Sequence, residues 1–324
     1  MIRYALLATL GAAFAAAATA QVPTAPSEQL KAMAAAQAAY NAMPDTAGTG
    51  AFPAIKEMAR SLPDHTIYRP ANLAAVEERS LGLVGWGNGG CSPDGASSRL
   101  HLEEIASHGY VVIAPGKILS GPGMPPPPPP APGAPQLVAQ TTAAQVLAGI
   151  DWALAENERE GSPLYHLIDP AKVAVSGYSC GGIQALDLAK DPRIKAVVIH
   201  NSGLFPDGAR PIAGIVTDKA WLDRLHTPVI YIMGGPTDIA YENGLDDFHR
   251  ITKVPVAWLN EDTGHGGTFQ QPNGGAAAQV AVAWLEWQLR GDSKAKAMFV
   301  GEGCGLCSST TWTIERKNFE SVAR

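Results

Sequence analysis

The residues of this chain that could carry chemistry centre on Ser179, within the segment Val173-Ala-Val-Ser-Gly-Tyr-Ser-Cys-Gly-Gly182. Gly177 and Gly181 lie two residues on either side of the serine and complete the pattern GxSxG. Small residues at these positions allow a strand and a helix to approach closely while the serine hydroxyl stays exposed in a strained turn. The pattern therefore predicts a nucleophile elbow with Ser179 at its apex.

The pattern GxSxG alone is a weak signal in a chain with 34 glycines, because it also occurs in ordinary turns. The flanking sequence supports the interpretation as a nucleophile elbow. A β-branched run predicts a strand over 172–176. Alanine and leucine residues after Cys180 predict a helix that ends near Asp191-Pro192, because proline cannot continue a helix. The pattern thus lies in the strand–turn–helix context that a nucleophile elbow requires.

A serine hydroxyl is a poor nucleophile at neutral pH, so it needs a general base, and the base needs a carboxylate to orient it. Asp238 follows a predicted strand that ends at Met233, and His265 follows one that ends at Leu259. The order Ser, Asp, His, with each residue after a strand, is typical of one class of triad. We expect His265 to accept the proton of Ser179, and Asp238 to hold the imidazole in the required tautomer.

Other acidic and histidine residues fit these roles less well. Three carboxylates are predicted to be solvated charges on a helix: Glu242, Asp246 and Asp247. Two lie too close to His265 in sequence to be preferred: Glu261 and Asp262. Three histidines on helices are interpreted as surface or packing residues: His101, His108 and His249. No histidine pair has the spacing HxxxH, so no metal site is predicted.

Acyl transfer also requires donors for the developing oxyanion. The backbone N–H of Cys180 is the first candidate, because it follows the nucleophile. The second is expected from Gly87-Asn-Gly-Gly90, with Asn88 preferred and Gly89 as the alternative. Four residues are candidates for the substrate pocket, although each also fits a place in the core: Trp86, Tyr178, His200 and Phe205. For His200, a hydrogen-bonded structural role is the preferred interpretation.

The N-terminal residues 1–20 contain Arg3, an apolar run and the triplet Ala18-Thr19-Ala20, which together predict a signal peptide cleaved after Ala20. The protein is therefore expected to be secreted or periplasmic, with no membrane span in the mature form. A membrane anchor is the alternative; it fits less well because the run is alanine-rich and short, and leads into Pro23 and Pro26.

Export favours disulfides among the four cysteines, for which three connectivities exist. We expect Cys91 to pair with Cys180, because this bridge would tie the two oxyanion-donor segments together, and Cys304 to pair with Cys307. A zinc site built from all four cysteines is the alternative. A thioredoxin-like role for Cys304-Gly-Leu-Cys307 is disfavoured, because no strand of a βαβ unit precedes it.

The 324 residues and the hydrophobic content of 46% are compatible with one large domain. A net charge of −6 without any long basic run argues against nucleic acid and anionic membranes as partners. We expect a neutral substrate, either small or polymeric, no cofactor, and a monomer.

Strands and helices alternate along the chain, which predicts an α/β fold with a mostly parallel sheet and helices on both faces. Strands are expected at 80–86, 110–114, 172–176, 194–199, 228–233 and 254–259, and helices at 27–43, 97–108, 136–158 and 276–289. Residues 21–79 are predicted to be a helical or irregular extension, with a possible early strand at 66–69, and 80–324 the catalytic domain. The proline-rich loop 121–135 either rims the cleft or acts as a spacer.

The sequence from about Ser80 to Leu289 resembles the α/β-hydrolase fold superfamily. Within it, the spacing is similar to the group of dienelactone hydrolases, chlorophyllases and secreted polyester (cutinase-like) hydrolases. Further segments resemble secreted hydrolase-like proteins: Trp86-Gly-Asn-Gly-Gly-Cys91, Ala106-Ser-His-Gly109, Ser179-Cys-Gly-Gly182, Gly235-Pro-Thr-Asp-Ile-Ala-Tyr241 and Cys304-Gly-Leu-Cys307. Dienelactone hydrolases use cysteine at the elbow apex, where this chain has serine.

The resemblance implies an α/β-hydrolase fold with Ser179, Asp238 and His265 as its triad. Together with the motifs, it leads us to expect a secreted serine hydrolase that cleaves carboxylic esters through an acyl-enzyme. Two alternatives remain: an acyltransferase or peptidase with the same triad, and a hydrolase-like binding protein without activity.

Overall fold

The computed structural model describes residue 35, residues 37–125 and residues 137–319. The predicted signal peptide 1–20 and most of the proline-rich loop lie outside these ranges. Of the helix predicted at 27–43, residues 37–42 are helical and most of the remainder lies outside the described residues. Within the described ranges, no helix is both long and apolar enough to cross a bilayer.

A nine-stranded sheet forms the centre of the protein, with the strand order β1-β2-β4-β3-β6-β7-β9-β10-β11. Its strands are β1 Ala54–Ala59, β2 Leu62–Pro70, β3 Leu81–Gly87, β4 Tyr110–Pro115, β6 Ile168–Tyr178, β7 Ile194–His200, β9 Val229–Met233, β10 Val256–Asn260 and β11 Thr313–Lys317. A separate pair joins β5 Leu137–Val138 to β8 Ile212–Ala213. Six central strands, β4 to β10 in this order, are parallel, and antiparallel pairs flank them at both edges.

Helices cover both faces of the sheet. They are α1 Arg99–Ser107, α2 Ala143–Glu158, α3 Cys180–Leu188, α4 Tyr241–Arg250, α5 Gly275–Arg290 and α6 Ser293–Ala297. Alternate strand residues face opposite sides: Val173 and Val175 pack in the core with α2, α3 and α4, whereas Ala174 packs in the core with α1 and α5. The prediction of an α/β fold with a mostly parallel sheet and helices on both faces is therefore confirmed.

The sheet is larger than the sequence predicts, because β1 and β11 were not predicted and only residues 66–69 of β2 were named as an early strand. Both β1 and β2 lie inside the segment 21–79. The early strand named at 66–69 is confirmed as part of β2, whereas the prediction of a helical or irregular extension is wrong for β1. β11 follows 254–259, which was predicted to be the last strand. Edge strands need only one buried side and carry many polar residues; β1 reads Ala-Ile-Lys-Glu-Met-Ala and β11 reads Thr-Ile-Glu-Arg-Lys. This composition hides the apolar pattern of a strand.

The start of α2 also differs from the prediction of a helix over 136–158. The helix begins at Ala143, where Thr142 forms a capping box with Gln145: each side chain accepts from the backbone N–H of the other. Such a box satisfies backbone donors that have no partner within the helix, and so defines its first turn. Residues 137–138 instead form β5.

Asp247 is completely buried, so the prediction that it is a solvated helix charge is wrong. Its Oδ1 accepts a hydrogen bond from Lys219 Nζ at 2.6 Å, and its Oδ2 accepts from the backbone N–H of Leu204 at 2.7 Å. Burial raises the pKa of the Asp247 carboxyl to about 6, although Lys219 opposes this effect. Lys219 lies in a turn that packs on α4 in the folded protein, 28 residues before Asp247 in the sequence. The periodicity of a helix shows only contacts within that helix, so it could not predict this ion pair.

Candidate active site

Ser179 occupies a sharp turn between β6 and α3. Its φ of 52° and ψ of −122° lie in a region that residues other than glycine seldom adopt. Backbone strain of this kind costs on the order of 1–3 kcal/mol and is concentrated at functional sites. The turn places the serine at the N-terminus of α3, at the carboxyl end of the central strand β6.

Two glycines allow this turn, as the GxSxG pattern predicts. A Cβ atom on Gly177 would lie 2.2 Å from the carbonyl oxygen of Gly181. A Cβ atom on Gly181 would lie 2.0 Å from the carbonyl carbon and oxygen of Gly87. Both contacts are with backbone atoms, which cannot move aside as a flexible side chain can. The two glycines therefore allow the backbones of β3, β6 and α3 to pack in direct contact beside Ser179.

We expect Gly181→Ala to destabilise the fold by about 3 kcal/mol, the upper end of the cost of overpacking a core. Gly303→Ala is the matched control, because a Cβ atom there meets no atom within 4 Å. Urea unfolding of both variants would measure the difference. If the two free energies of unfolding are equal, the close contact between α3 and β3 is not as tight as described.

The structure brings together the three residues that the sequence singles out. His265 Nε2 lies 3.0 Å from Ser179 Oγ, and His265 Nδ1 lies 2.6 Å from Asp238 Oδ1. With the carboxylate ionised, Nδ1–H donates to Asp238, and Nε2 is left to accept the serine proton. Asp238 is buried, whereas the His265 side chain is 25% exposed. The imidazole can therefore meet both the serine and a molecule that enters from solvent.

Asp238 is held by donors on both of its oxygens. Oδ1 also accepts from the backbone N–H of Ala240 at 2.9 Å, while Oδ2 accepts from Asn201 Nδ2 at 2.9 Å and from the N–H of Gly234 at 3.3 Å. Burial alone would raise the pKa of the Asp238 carboxyl, but hydrogen bonds from His265, Ala240 and Asn201 outweigh it and hold the pKa below its ordinary value. The carboxylate thus stays ionised at neutral pH.

Three side chains around the triad were not assigned these contacts from the sequence. Asn201 contacts Asp238, Tyr178 Oη donates to the carbonyl oxygen of His265 at 2.7 Å, and Ser202 Oγ donates to the carbonyl oxygen of Ser179 at 2.6 Å. One signal was available: Asn201 and Ser202 follow the predicted strand at 194–199, at the sheet edge where Ser179 and Asp238 also lie. Their partners lie far along the chain, so no local pattern identifies them.

The two proposed oxyanion donors lie beside the elbow. Cys180 is the first residue of α3, so its backbone N–H has no acceptor within the helix. The Asn88 side chain is buried and donates to the carbonyl oxygens of Ser92 and Pro115 at 3.0 and 2.6 Å. Its backbone nitrogen lies next to α3, since a Cβ atom on Gly181 would be 2.6 Å from it. Any contribution of Asn88 to the oxyanion would therefore come from its backbone.

Both cysteine pairs expected from the sequence are disulfides in the structure. Cys91 joins Cys180 with a Cα–Cα distance of 5.3 Å, and Cys304 joins Cys307 at 4.9 Å. The first bridge connects the segment after Asn88 to the residue after Ser179. All four cysteines are paired, which leaves no thiolate for the alternative four-cysteine zinc site. Among the described residues, no group of three or more His, Cys, Asp or Glu side chains could hold a metal ion.

A cavity of about 210 Å³ opens beside the triad. Its lining residues are Leu137, Ser179, Cys180, Ile183, Asn201, Ser202, Gly203, Phe205, Pro211, Ile212, Ile239, Ala240, Asn243 and His265. Among these described residues, most are apolar and none carries an acidic or a lysine or arginine side chain. A larger neighbouring cavity of about 320 Å³ shares Ile183 but contains no triad residue. We therefore assign the site to the smaller cavity, because Ser179 and His265 both line it.

Of the four candidate pocket residues, only Phe205 lines the cavity. The prediction is wrong for the other three: Trp86, Tyr178 and His200. Trp86 and His200 are fully buried in an aromatic cluster with His101 and Phe269. Tyr178 flanks His265, with 5.4 Å between the ring centroids. Strand direction alone could not show on which side of Ser179 the pocket opens.

His200 differs from the expectation of a hydrogen-bonded structural histidine. Its ring lies perpendicular to that of His101, with 4.7 Å between the centroids. None of the four ring nitrogens has a hydrogen-bond partner within the part of the chain that the structure describes. Burial lowers the pKa of His101 to about 3 and that of His200 well below its ordinary value. Both histidines are therefore neutral in the folded protein.

The geometry of this site is that of a serine, a histidine and an aspartate in hydrogen-bonding sequence, next to an apolar cavity and at the N-terminus of a helix. Such an arrangement can activate a hydroxyl group for attack on a carbonyl carbon. No protein-family model matches the chain, and the search of curated proteins finds no match.

Proposed function

We propose that this chain is a serine hydrolase of the α/β-hydrolase fold superfamily that cleaves carboxylic esters. One observation carries the proposal: His265 lies within hydrogen-bonding distance of both Ser179 Oγ and Asp238 Oδ1. The strained backbone of Ser179, with φ of 52°, supports it, because backbone strain of this kind is concentrated at functional sites. The resemblance to dienelactone hydrolases, chlorophyllases and cutinase-like enzymes supports the same class.

In the proposed mechanism, Ser179 Oγ attacks the ester carbonyl carbon while its proton passes to His265 Nε2. The carbonyl oxygen becomes an oxyanion that the N–H groups of Cys180 and of Asn88 or Gly89 stabilise. His265 then returns the proton to the departing alcohol, and the acyl group remains on Ser179. Water, deprotonated by His265, attacks this acyl-enzyme, releases the carboxylic acid and restores the serine hydroxyl.

The lining of the cavity supports an uncharged acyl group as the bound part of the substrate. The side chains of Ile183, Phe205 and Ile212 are apolar, and none of the described residues that line the cavity is an acid, a lysine or an arginine. Burying a charged acyl group here would leave it without a partner, which is costly. The substrate is therefore a neutral carboxylic ester, small or polymeric.

We also propose that the protein is exported. The apolar run and the Ala18-Thr19-Ala20 triplet support a signal peptide. The two disulfides support the same conclusion, because such bonds form and persist in oxidising compartments.

Labelling with a fluorophosphonate tests the proposed function directly, because this reagent phosphonylates an activated serine and needs no knowledge of the natural substrate. We expect one adduct per chain, and peptide mass spectrometry should locate it on Ser179. His265→Ala is the matched control: it keeps the serine but removes the base, so labelling should become much slower. Wild-type protein that stays unlabelled, while a known serine esterase labels under the same conditions, would favour the inactive binding protein.

A further inference from the structure

Asn201 lies directly after β7, in a backbone conformation with φ of 44°. Only 3% of the residue is exposed. Asparagine tolerates positive φ better than most residues, but the conformation still carries a cost. Its backbone N–H donates to the carbonyl oxygen of Ile232 at 2.9 Å, which ties it to the end of β9. The side chain is thus directed from a fixed backbone position.

The Asn201 amide joins two loops that carry triad residues. Nδ2 donates to Asp238 Oδ2 at 2.9 Å and to the carbonyl oxygen of Gly264 at 3.1 Å. Gly264 immediately precedes His265, and its N–H donates to the carbonyl oxygen of Gly234 at 2.8 Å. Both hydrogens of one amide group are therefore used to hold the acid loop and the histidine loop together.

The surroundings leave the amide little freedom. A Cβ atom on Gly234 would lie 2.7 Å from Asn201 Nδ2, and one on Gly267 would lie 3.0 Å from Asn201 Oδ1. Because the two acceptors are a carboxylate and a carbonyl, the atom that faces them must be the nitrogen. The position therefore requires a neutral donor of the size of an asparagine amide.

We propose that Asn201 is a positioning residue of the catalytic site, which holds Asp238 and the His265 loop in the arrangement that activates Ser179. This inference rests on the proposed function. Asn201 donates to Oδ2, so that Oδ1 faces His265 Nδ1. An amide does not ionise near neutral pH, so it supports the carboxylate without competing for the proton of His265.

Three substitutions separate this role from a general effect on the fold. Asn201→Gly removes the amide and relieves the backbone strain, Asn201→Ala removes the amide and keeps the strain, and Asn201→Asp keeps the shape but replaces the donor by an acid. With a p-nitrophenyl ester we expect kcat to fall about 10- to 100-fold in the glycine and alanine variants alike, the range measured for residues that orient metal-bound histidines. KM should change less than about twofold, because positioning acts on the chemical step.

The pH profile provides a readout that a merely structural role would not change. Loss of the donor to Asp238 leaves the carboxylate more basic, which strengthens its attraction for the imidazolium form of His265. The acid limb of kcat/KM should therefore move to higher pH in the glycine variant. It should move further in Asn201→Asp, by about one pH unit, because a second negative charge faces Asp238. The titratable groups that face this point are Asp238, His265 and Tyr178. Burial raises the pKa of Tyr178 to about 12, so the phenol stays protonated throughout the profile.

A readout without turnover separates failure of this inference from failure of the proposed function. The proton on His265 Nδ1 should give a downfield NMR signal in wild-type protein, and in Asn201→Gly this signal should shift or broaden. An unchanged signal, or kcat within about twofold of wild type in the glycine variant, would overturn the positioning role. If wild-type protein shows neither turnover nor fluorophosphonate labelling but the NMR change occurs, the positioning role stands and the proposed function fails.

Discussion

Replacing Ser179 by alanine is expected to lower kcat for hydrolysis of p-nitrophenyl acetate by about a millionfold, the loss found when the nucleophile of a serine hydrolase is removed. Ser179 Oγ is the atom that forms the acyl-enzyme in the proposed mechanism, and no other hydroxyl contacts His265 Nε2 among the described residues. KM cannot be compared at such low activity, so single-turnover kinetics and fluorophosphonate labelling would be measured alongside steady-state rates. A variant that keeps even about one percent of the activity would show that another group is the nucleophile.

Ser179→Gly is the matched variant for the backbone. It removes the hydroxyl as alanine does, but glycine adopts positive φ without steric cost. Both variants should be equally inactive, and the glycine variant should be more stable than the alanine variant by about 1 kcal/mol. Urea unfolding would measure this difference. Equal stabilities would indicate that the φ of 52° at Ser179 stores little strain.

Acid is expected to destabilise the folded protein through His101 and His200. In the unfolded chain both histidines take up a proton below about pH 6.5, whereas burial keeps them neutral in the folded protein. The unfolded state therefore binds more protons, and stability falls as the pH falls. The sign follows from the lowered pKa values: the contribution is intact above about pH 6.5 and is lost progressively below it. Each histidine can contribute at most about 1.4 kcal/mol per pH unit.

The free energy of unfolding, measured in urea between about pH 7 and pH 5, checks this expectation by comparing wild type with a histidine variant. Burial raises the pKa of Asp247 to about 6 and that of Glu103 to about 7, so these carboxyls take up protons in the folded protein over the same range and oppose the histidine effect in both proteins. His200→Phe is the test variant. Its ring fits an aromatic cluster in which the histidine nitrogens have no partner among the described residues. Its loss of stability per pH unit should be smaller than that of wild type by the contribution of one histidine, at most about 1.4 kcal/mol per pH unit, without loss of stability at pH 7. His249→Phe on α4 is the control and should keep the wild-type slope. A wild-type slope in His200→Phe would mean that His200 is hydrated or protonated in the fold.

Local patterns account for the parts of the candidate site that the sequence predicted. The elbow depends on steric contacts within a few residues, because only glycine fits at positions 177 and 181. The positions of Asp238 and His265 follow from the ends of apolar strands, since the carboxyl ends of parallel strands meet at one edge of a sheet. The pairing of Cys91 with Cys180 follows from the same proximity.

The pocket could not be predicted in the same way. Leu137 and Ile212 line it because β5 pairs with β8, two segments of two residues each that are far apart in sequence. Trp86, at the end of the strand predicted at 80–86, was a candidate for the pocket that also fitted a place in the core. Its side chain packs instead with His101 and Phe269 against the face of the sheet that α1 and α5 cover. A shift of one residue along a strand changes the face, and strands buried on both sides show no alternation that would reveal it.

By itself, the sequence determined the α/β class and the elbow around Ser179. It also determined that Ser179, Asp238 and His265 each follow a strand, in that order along the chain. Each of these features depends on local periodicity and local sterics. Only the tertiary structure decided that β1, β2 and β11 extend the sheet, that Asp247 is buried against Lys219, and that Asn201 bonds to Asp238. These features arise where segments distant in sequence meet. Their energies come from burial and from hydrogen bonds that exist only after the chain has folded.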